Sequence, residues 1–162
     1  MLDNCKNSSE RWGGVSKIVD KWLNQRQQLI VEFCTVSGVH ALTEAETQDH
    51  SNGLRHFCEL LVDYISAGHF EVYDHLIQEA EELEDCSALE LAKNIYPQLS
   101  ETTEIALAFN DHIDSLTSND SLDPKLAQKL SKLGESLVVR FELEDQLVHR
   151  LHFANQETAT SV

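Results

Sequence analysis

Apolar residues recur along most of the chain at intervals of three and four, the period of an amphipathic helix and not of a strand. Val15, Ile18, Val19, Trp22, Leu23, Leu29, Ile30 and Phe33 share one face and predict a long helix over about residues 15–36, closed by Gly38. Gly13-Gly14 permits a bend ahead of it, so residues 8–12 read as a separate short helix or an arm. Residues 38–53 read as a loop that admits a helical turn at Thr43-x-x-Glu46, which has capping-box spacing. Leu54, Phe57, Cys58, Leu61, Val62 and Ile65 form an unbroken second stripe, and Gly68 is placed to end that helix in a left-handed cap.

A further helix runs from about Phe70 into an acidic cluster, burying Phe70, Tyr73, Leu76, Ile77 and Ala80. Ser87-x-x-Glu90 predicts a capping box opening a short helix that stops near Pro97. Ser100 then caps a helix carrying Ile105, Phe109, Ile113 and Leu116. Residues 117–123 are turn chemistry apart from Leu122, and Asp123-Pro124 supplies an N-cap and an N1 proline. The last helix carries Leu126, Leu130, Leu133, Leu137, Phe141, Val148 and Leu151. Running to about Phe153, it is roughly 45 Å long. No period-two segment and no internal repeat interrupts the series. The expected fold is all-α, an antiparallel helical bundle of long amphipathic helices with short additional ones. A single helical domain over residues 1–154 is expected, with a flexible C-terminal tail at 155–162.

Composition narrows the function. Only 6 glycines and 2 prolines break the 162 residues. Cys5, Cys34, Cys58 and Cys86 stand far apart with no Cys-x-x-Cys pair, residues 1–11 are polar, and no stretch approaches the ~20 apolar residues that span a bilayer. Reduced thiols and a cytoplasmic location are expected. Cys34 and Cys58 fall at apolar helical positions, which predicts buried structural thiols. The formal net charge of −16 is uneven: +1 over residues 1–37, −13 over 38–104 and −4 over 105–162. Such a surface repels phosphate backbones and anionic lipid, so neither direct DNA binding nor membrane association is expected. Glu79, Glu81, Glu82, Glu84 and Asp85 read as a solvated helix end. The wider acidic excess also suits capture of a basic partner by steering.

Chemistry finds little purchase. A di-iron carboxylate bundle needs Glu-x-x-His on two helices, and no glutamate stands three residues before any of the 8 histidines. His75-x-x-x-Glu79 and His149-x-x-His152 place pairs on one helical face without further ligands. No phosphate-cradling loop or nucleophile elbow is present, and no carboxylate falls in an apolar stripe where burial raises its pKa. No enzymatic activity, cofactor or metal is expected. Surface recognition remains. On the second helix, Asp63 points directly away from the core stripe, while Leu60 and Tyr64 lie on a flank open to another helix or to a partner.

Glu10-Arg11-Trp12-Gly13-Gly14, Val19-Asp20-Lys21-Trp22-Leu23, the block from Leu61 through Asp63, Ser66, Gly68-His69-Phe70 to Tyr73, Tyr96-Pro97-Gln98-Leu99 and Arg140-Phe141-Glu142-Leu143-Glu144-Asp145 occur in one order. In these motifs the chain resembles the regulator of sigma D (Rsd/AlgQ) anti-sigma factor family. The resemblance spans roughly residues 1–151 and departs in the loop after Gly38, in the stretch 79–90 and in the tail. It implies a helical bundle without enzymatic activity that binds the C-terminal, promoter −35-reading domain of the primary sigma factor and lowers its availability to RNA polymerase. It further implies contact roles for Asp63 and Phe70, with Ser66, Tyr73 and Asp74 beside them. Asp63 would pair with an Arg or Lys, and Phe70 would fill an apolar notch, although Phe70 also belongs to a predicted core stripe. Trp22 and Arg26 are placed to line the same groove, Trp22 from within its own core stripe. Some members are linked to the phosphotransfer protein HPr and to a (p)ppGpp hydrolase, so a helical adaptor for such a partner is the alternative, with a metal- or ligand-binding bundle more distant.

Overall fold

The computed structural model describes residues 2–38, 44–116 and 124–153, with side chains for 14–38, 49–116 and 124–152. Its elements are α1 (Leu2–Ser37), α2 (Glu44–Ala67), a π-helical turn (Gly68–Val72), α3 (Tyr73–Glu82), α4 (Cys86–Ser115), α5 (Pro124–Val148) and a second π-helical turn (His149–Phe153). No strand occurs among the described residues. The four long helices close a ring, α1 on α2, α2 on α4, α4 on α5 and α5 back on α1. Side-chain pairings give the directions. Trp22 stacks on Tyr64 and Phe33 meets Phe57; Phe57 meets Phe109 and His69 meets Thr103; Phe33 faces Gly134 and Arg26 bonds Asp145. Residue numbers rise on one helix as they fall on its neighbour, so adjacent helices are antiparallel, the all-α bundle that the periodicity requires. The stripes meet inside: Val19, Trp22, Leu29, Phe57, Leu61, Leu76, Leu99, Leu133 and Leu151 are all buried.

Several boundaries differ from expectation, each for a physical reason. The first helix continues N-terminally through Gly13-Gly14. Helix α2 begins at Glu44 and absorbs Gly53, where a loop was expected; its proposed cap Thr43 lies outside the described residues. Gly68 does not cap a helix, since no glycine here has positive φ. A Cβ there would stand 3.1 Å from the Tyr73 hydroxyl and 3.4 Å from Trp22. Its missing side chain serves a close approach, and the chain passes through a π-helical turn into α3.

Helix α4 starts two residues earlier and runs on past Pro97. Its N-cap is Asp85, whose carboxylate accepts from the Ala88 N–H at 3.0 Å, and not Ser87. Pro97 is exposed, and the carbonyl it frees belongs to exposed Lys93. Ser100 is therefore interior to the helix. Glu84, at φ 54°, makes the turn between α3 and α4. Cys58 is buried as expected and its thiol is pushed up to about 12, chiefly by that burial, whereas Cys34 is exposed. Cys5, the turn at 117–123 with its Asp123 cap, and the tail at 155–162 lie outside the described residues. No described helix is long and apolar enough to cross a membrane.

Candidate docking face on α2 and α4

The seam between α2 and α4 carries two adjoining recesses that share Val62. One is an apolar groove of about 390 Å³ lined by Val62, Ile65, Ser66, His69, Phe70, Thr103 and Leu107. The other is lined by Arg55, Cys58, Glu59, Val62, Asp63, Asn110 and Asp114, three carboxylates against one guanidinium. Phe70 is 82% exposed and Leu107 is 43% exposed, so the groove ends in large apolar surface that its own fold does not cover. Phe70 was expected in a core stripe. The stripe that forms is Val72, Tyr73, Leu76, Glu79 and Ala80, and Phe70 lies on its outer flank. Asp63 is exposed, as its position on the wheel requires.

Of the residues singled out, Ser66 and Phe70 meet in the groove and Asp63 lines the neighbouring recess. Asp74 is exposed on α3 outside both recesses. Tyr73 is a correction: it is 1% exposed, donates to Glu144 Oε1 at 2.5 Å and accepts from Arg140 at 3.1 Å, so it faces the bundle interior. Trp22 is likewise core, and its indole N–H donates to the Tyr64 carbonyl at 3.2 Å. Arg26 spans Trp22 and Phe141 by cation–π contact on the α1–α5 side, away from the groove. Tyr64 is fully buried and packs on α1, while Leu60 is half-buried.

Behind the groove lies a buried polar cluster that periodicity did not suggest. Glu144, fully buried on α5, accepts four hydrogen bonds: Tyr73 and Arg140 donate to Oε1, and Tyr64 and Arg26 to Oε2. Arg140, also fully buried, reaches on to Thr102 at 3.2 Å and Thr103 at 2.8 Å. All five helices contribute a member. This overturns the expectation that no carboxylate occupies an apolar stripe. The legible signal was Arg140 and Glu144 at i, i+4, sharing the face of Leu137 and Leu147. Burial and the Glu144 charge hold both tyrosine hydroxyls well above the ordinary range, so they stay protonated and donate.

The two histidine pairs read from spacing also exchange partners. Glu79 and His152, one from each pair, are both buried and meet at 3.1 Å, and His152 in turn reaches Ser16 at 3.1 Å. This ties α1, α3 and the C-terminal turn together. No group of three or more metal-ligating side chains occurs among the described residues. His69 and Leu107 complete the groove; His69 stands beside Asp63, Ser66 and Phe70 in the acidic and aromatic edge expected from the sequence, whereas Leu107 was given no contact role. Leu107 was findable, because it lies about 200° around the wheel from Ile105 and so outside the predicted stripe.

The family model described as regulator of RNA polymerase sigma(70) subunit, Rsd/AlgQ, matches residues 1–152. A protein named Regulator of sigma D from Yersinia pseudotuberculosis is 37% identical over 148 residues, covering 91% of this chain and 87% of the relative. Namesakes from Yersinia enterocolitica and an Enterobacter species are 36% and 38% identical, each covering 91% of this chain and 88% of their own.

Proposed function

The chain belongs to the Rsd/AlgQ family of regulators of the RNA polymerase sigma(70) subunit, and on that premise we propose that it acts by docking the C-terminal, promoter −35-reading domain of the primary sigma factor on its α2–α4 face. One observation carries the reading: an uncovered Phe70 at the end of an apolar groove, contiguous through Val62 with the Glu59, Asp63 and Asp114 recess. A partner that reads DNA phosphates presents Arg and Lys beside apolar helix surface, and this face complements both. Phe70 supplies a desolvating anchor of the kind that dominates binding energy, and the carboxylates supply orientation and on-rate. The −13 segment over residues 38–104 includes α2, α3 and the first part of α4, so both helices of the face belong to the acidic part of the chain.

Titration calorimetry with the isolated sigma domain tests this. The native protein is expected to bind, more weakly by about tenfold between 50 and 500 mM NaCl. Asp63→Lys should cost about 2–5 kcal/mol of binding, and Phe70→Ala about 2 kcal/mol or more, with unchanged circular dichroism. Absence of binding at low salt, or affinity indifferent to both substitutions, overturns the assignment.

A further inference from the structure

His69 is the one ionisable side chain among the residues lining the apolar groove, set directly beside exposed Phe70. Its ring is fixed from two sides. The edge packs on Tyr73 at 5.0 Å between centroids, and Nε2 lies 3.0 Å from Thr103 Oγ1. That hydroxyl has one proton and two lone pairs. It donates to the Leu99 carbonyl at 2.9 Å and accepts from Arg140 at 2.8 Å. One lone pair is left, so neutral His69 carries its proton on Nε2 and donates to Thr103, leaving Nδ1 as an acceptor. A second proton has only Nδ1 to occupy, and it makes the lining of the groove cationic.

We propose that His69 gates docking by its charge: neutral, it forms part of an apolar seat, and protonated, it repels the cationic partner. The gate rests on the docking reading above. Arg140 on α5 opposes a second positive charge, and Asp74 on α3 partly favours it. Tyr73 on α3 stays a neutral donor. Within the groove, α2 offers Val62, Ile65 and Ser66, and α4 offers Thr103 and Leu107, none of them ionisable. Burial first, then Arg140, holds the imidazole below its ordinary value of 6.5, so the gate is open at neutral pH and closes on acidification. Arg140 and Thr103 are thereby positioning residues that fix the His69 tautomer.

The test measures affinity for the isolated sigma domain at pH 7.5 and 5.5, together with the His69 ring titration by NMR, free and bound. Affinity of the native protein should fall on acidification by up to about tenfold, the ceiling that an unshifted imidazole sets between these two pH values. The His69 midpoint should drop further in the complex, as linkage demands. His69→Gln has no titratable group, so whatever affinity it keeps at pH 7.5, it should lose most of the pH dependence. Thr103→Val should keep the fold and lower the His69 midpoint, since the protonated ring donates to that hydroxyl more strongly than the neutral one and loses more when it is removed. Binding that is equally strong at both pH values, or an equal loss in native protein and His69→Gln, overturns the gate and leaves docking intact. No binding at either pH overturns docking, and the gate with it.

Discussion

At Glu144 the balance between cost and specificity is sharpest. A carboxylate with no solvent exposure is tolerated because two arginines and two tyrosines saturate its oxygens. Glu144→Gln places an amide donor against those donors and leaves Arg140 without its counter-charge. We expect a loss of about 3–5 kcal/mol in urea denaturation, with the fold retained. The thiols give a second residue-scale outcome. Cys58 is buried and its pKa is raised, whereas Cys34 and Cys86 are exposed. Native protein should therefore alkylate rapidly at Cys34 and Cys86, and Cys58 only on unfolding, by mass spectrometry of iodoacetamide-treated samples.

Elements meet closely where side chains are missing. Helices α1 and α5 approach at Gly134, where an added Cβ would sit 2.7 Å from Phe33, and the first π-helical turn approaches α1 at Gly68. Trp22 and Tyr73 cannot retreat from position 68, since both are buried and the Tyr73 hydroxyl is held by Glu144 and Arg140. Gly68→Ala should destabilise by about 1–3 kcal/mol despite better helix propensity. At Gly14, by contrast, nothing lies within 4 Å of an added Cβ. Gly14→Ala should instead raise stability by about 0.5–1 kcal/mol. The melting temperatures of the two variants should move in opposite directions. The turn from α3 into α4 is stapled differently, by Asp85, which caps α4 and is gripped by both Arg150 amines at 2.6 and 2.9 Å. The acidic run read as merely solvated thus contains one cap, Asp85, and one buried partner, Glu79.

For the whole molecule, pH acts through histidines that folding makes harder to protonate. His50 and His69 are both held below 6.5, primarily by burial. The unfolded chain then binds more protons, so their contribution to stability is complete above the ordinary histidine value and is lost as pH falls through it. The urea midpoint should rise between pH 5.5 and 7.5, with a smaller rise in His69→Gln. The helical bundle, its antiparallel order and most of its core were legible in the chain, because a 3.6-residue period sorts apolar from polar residues without reference to any neighbour. The exposure of Asp63 followed from the same geometry. What stops a helix was not so local: Gly68 and Pro97 look like punctuation, yet packing and exposure let the helical path run through both. The same stripe placed Tyr73 inward, but it was not local that Phe70 faces outward or that Arg140 and Glu144 form a buried pair. Those outcomes depend on which polar atoms from five helices arrive within hydrogen-bonding distance. Periodicity therefore set the bundle, while only tertiary contact determined which charges are sealed inside and which apolar face is left open to a partner.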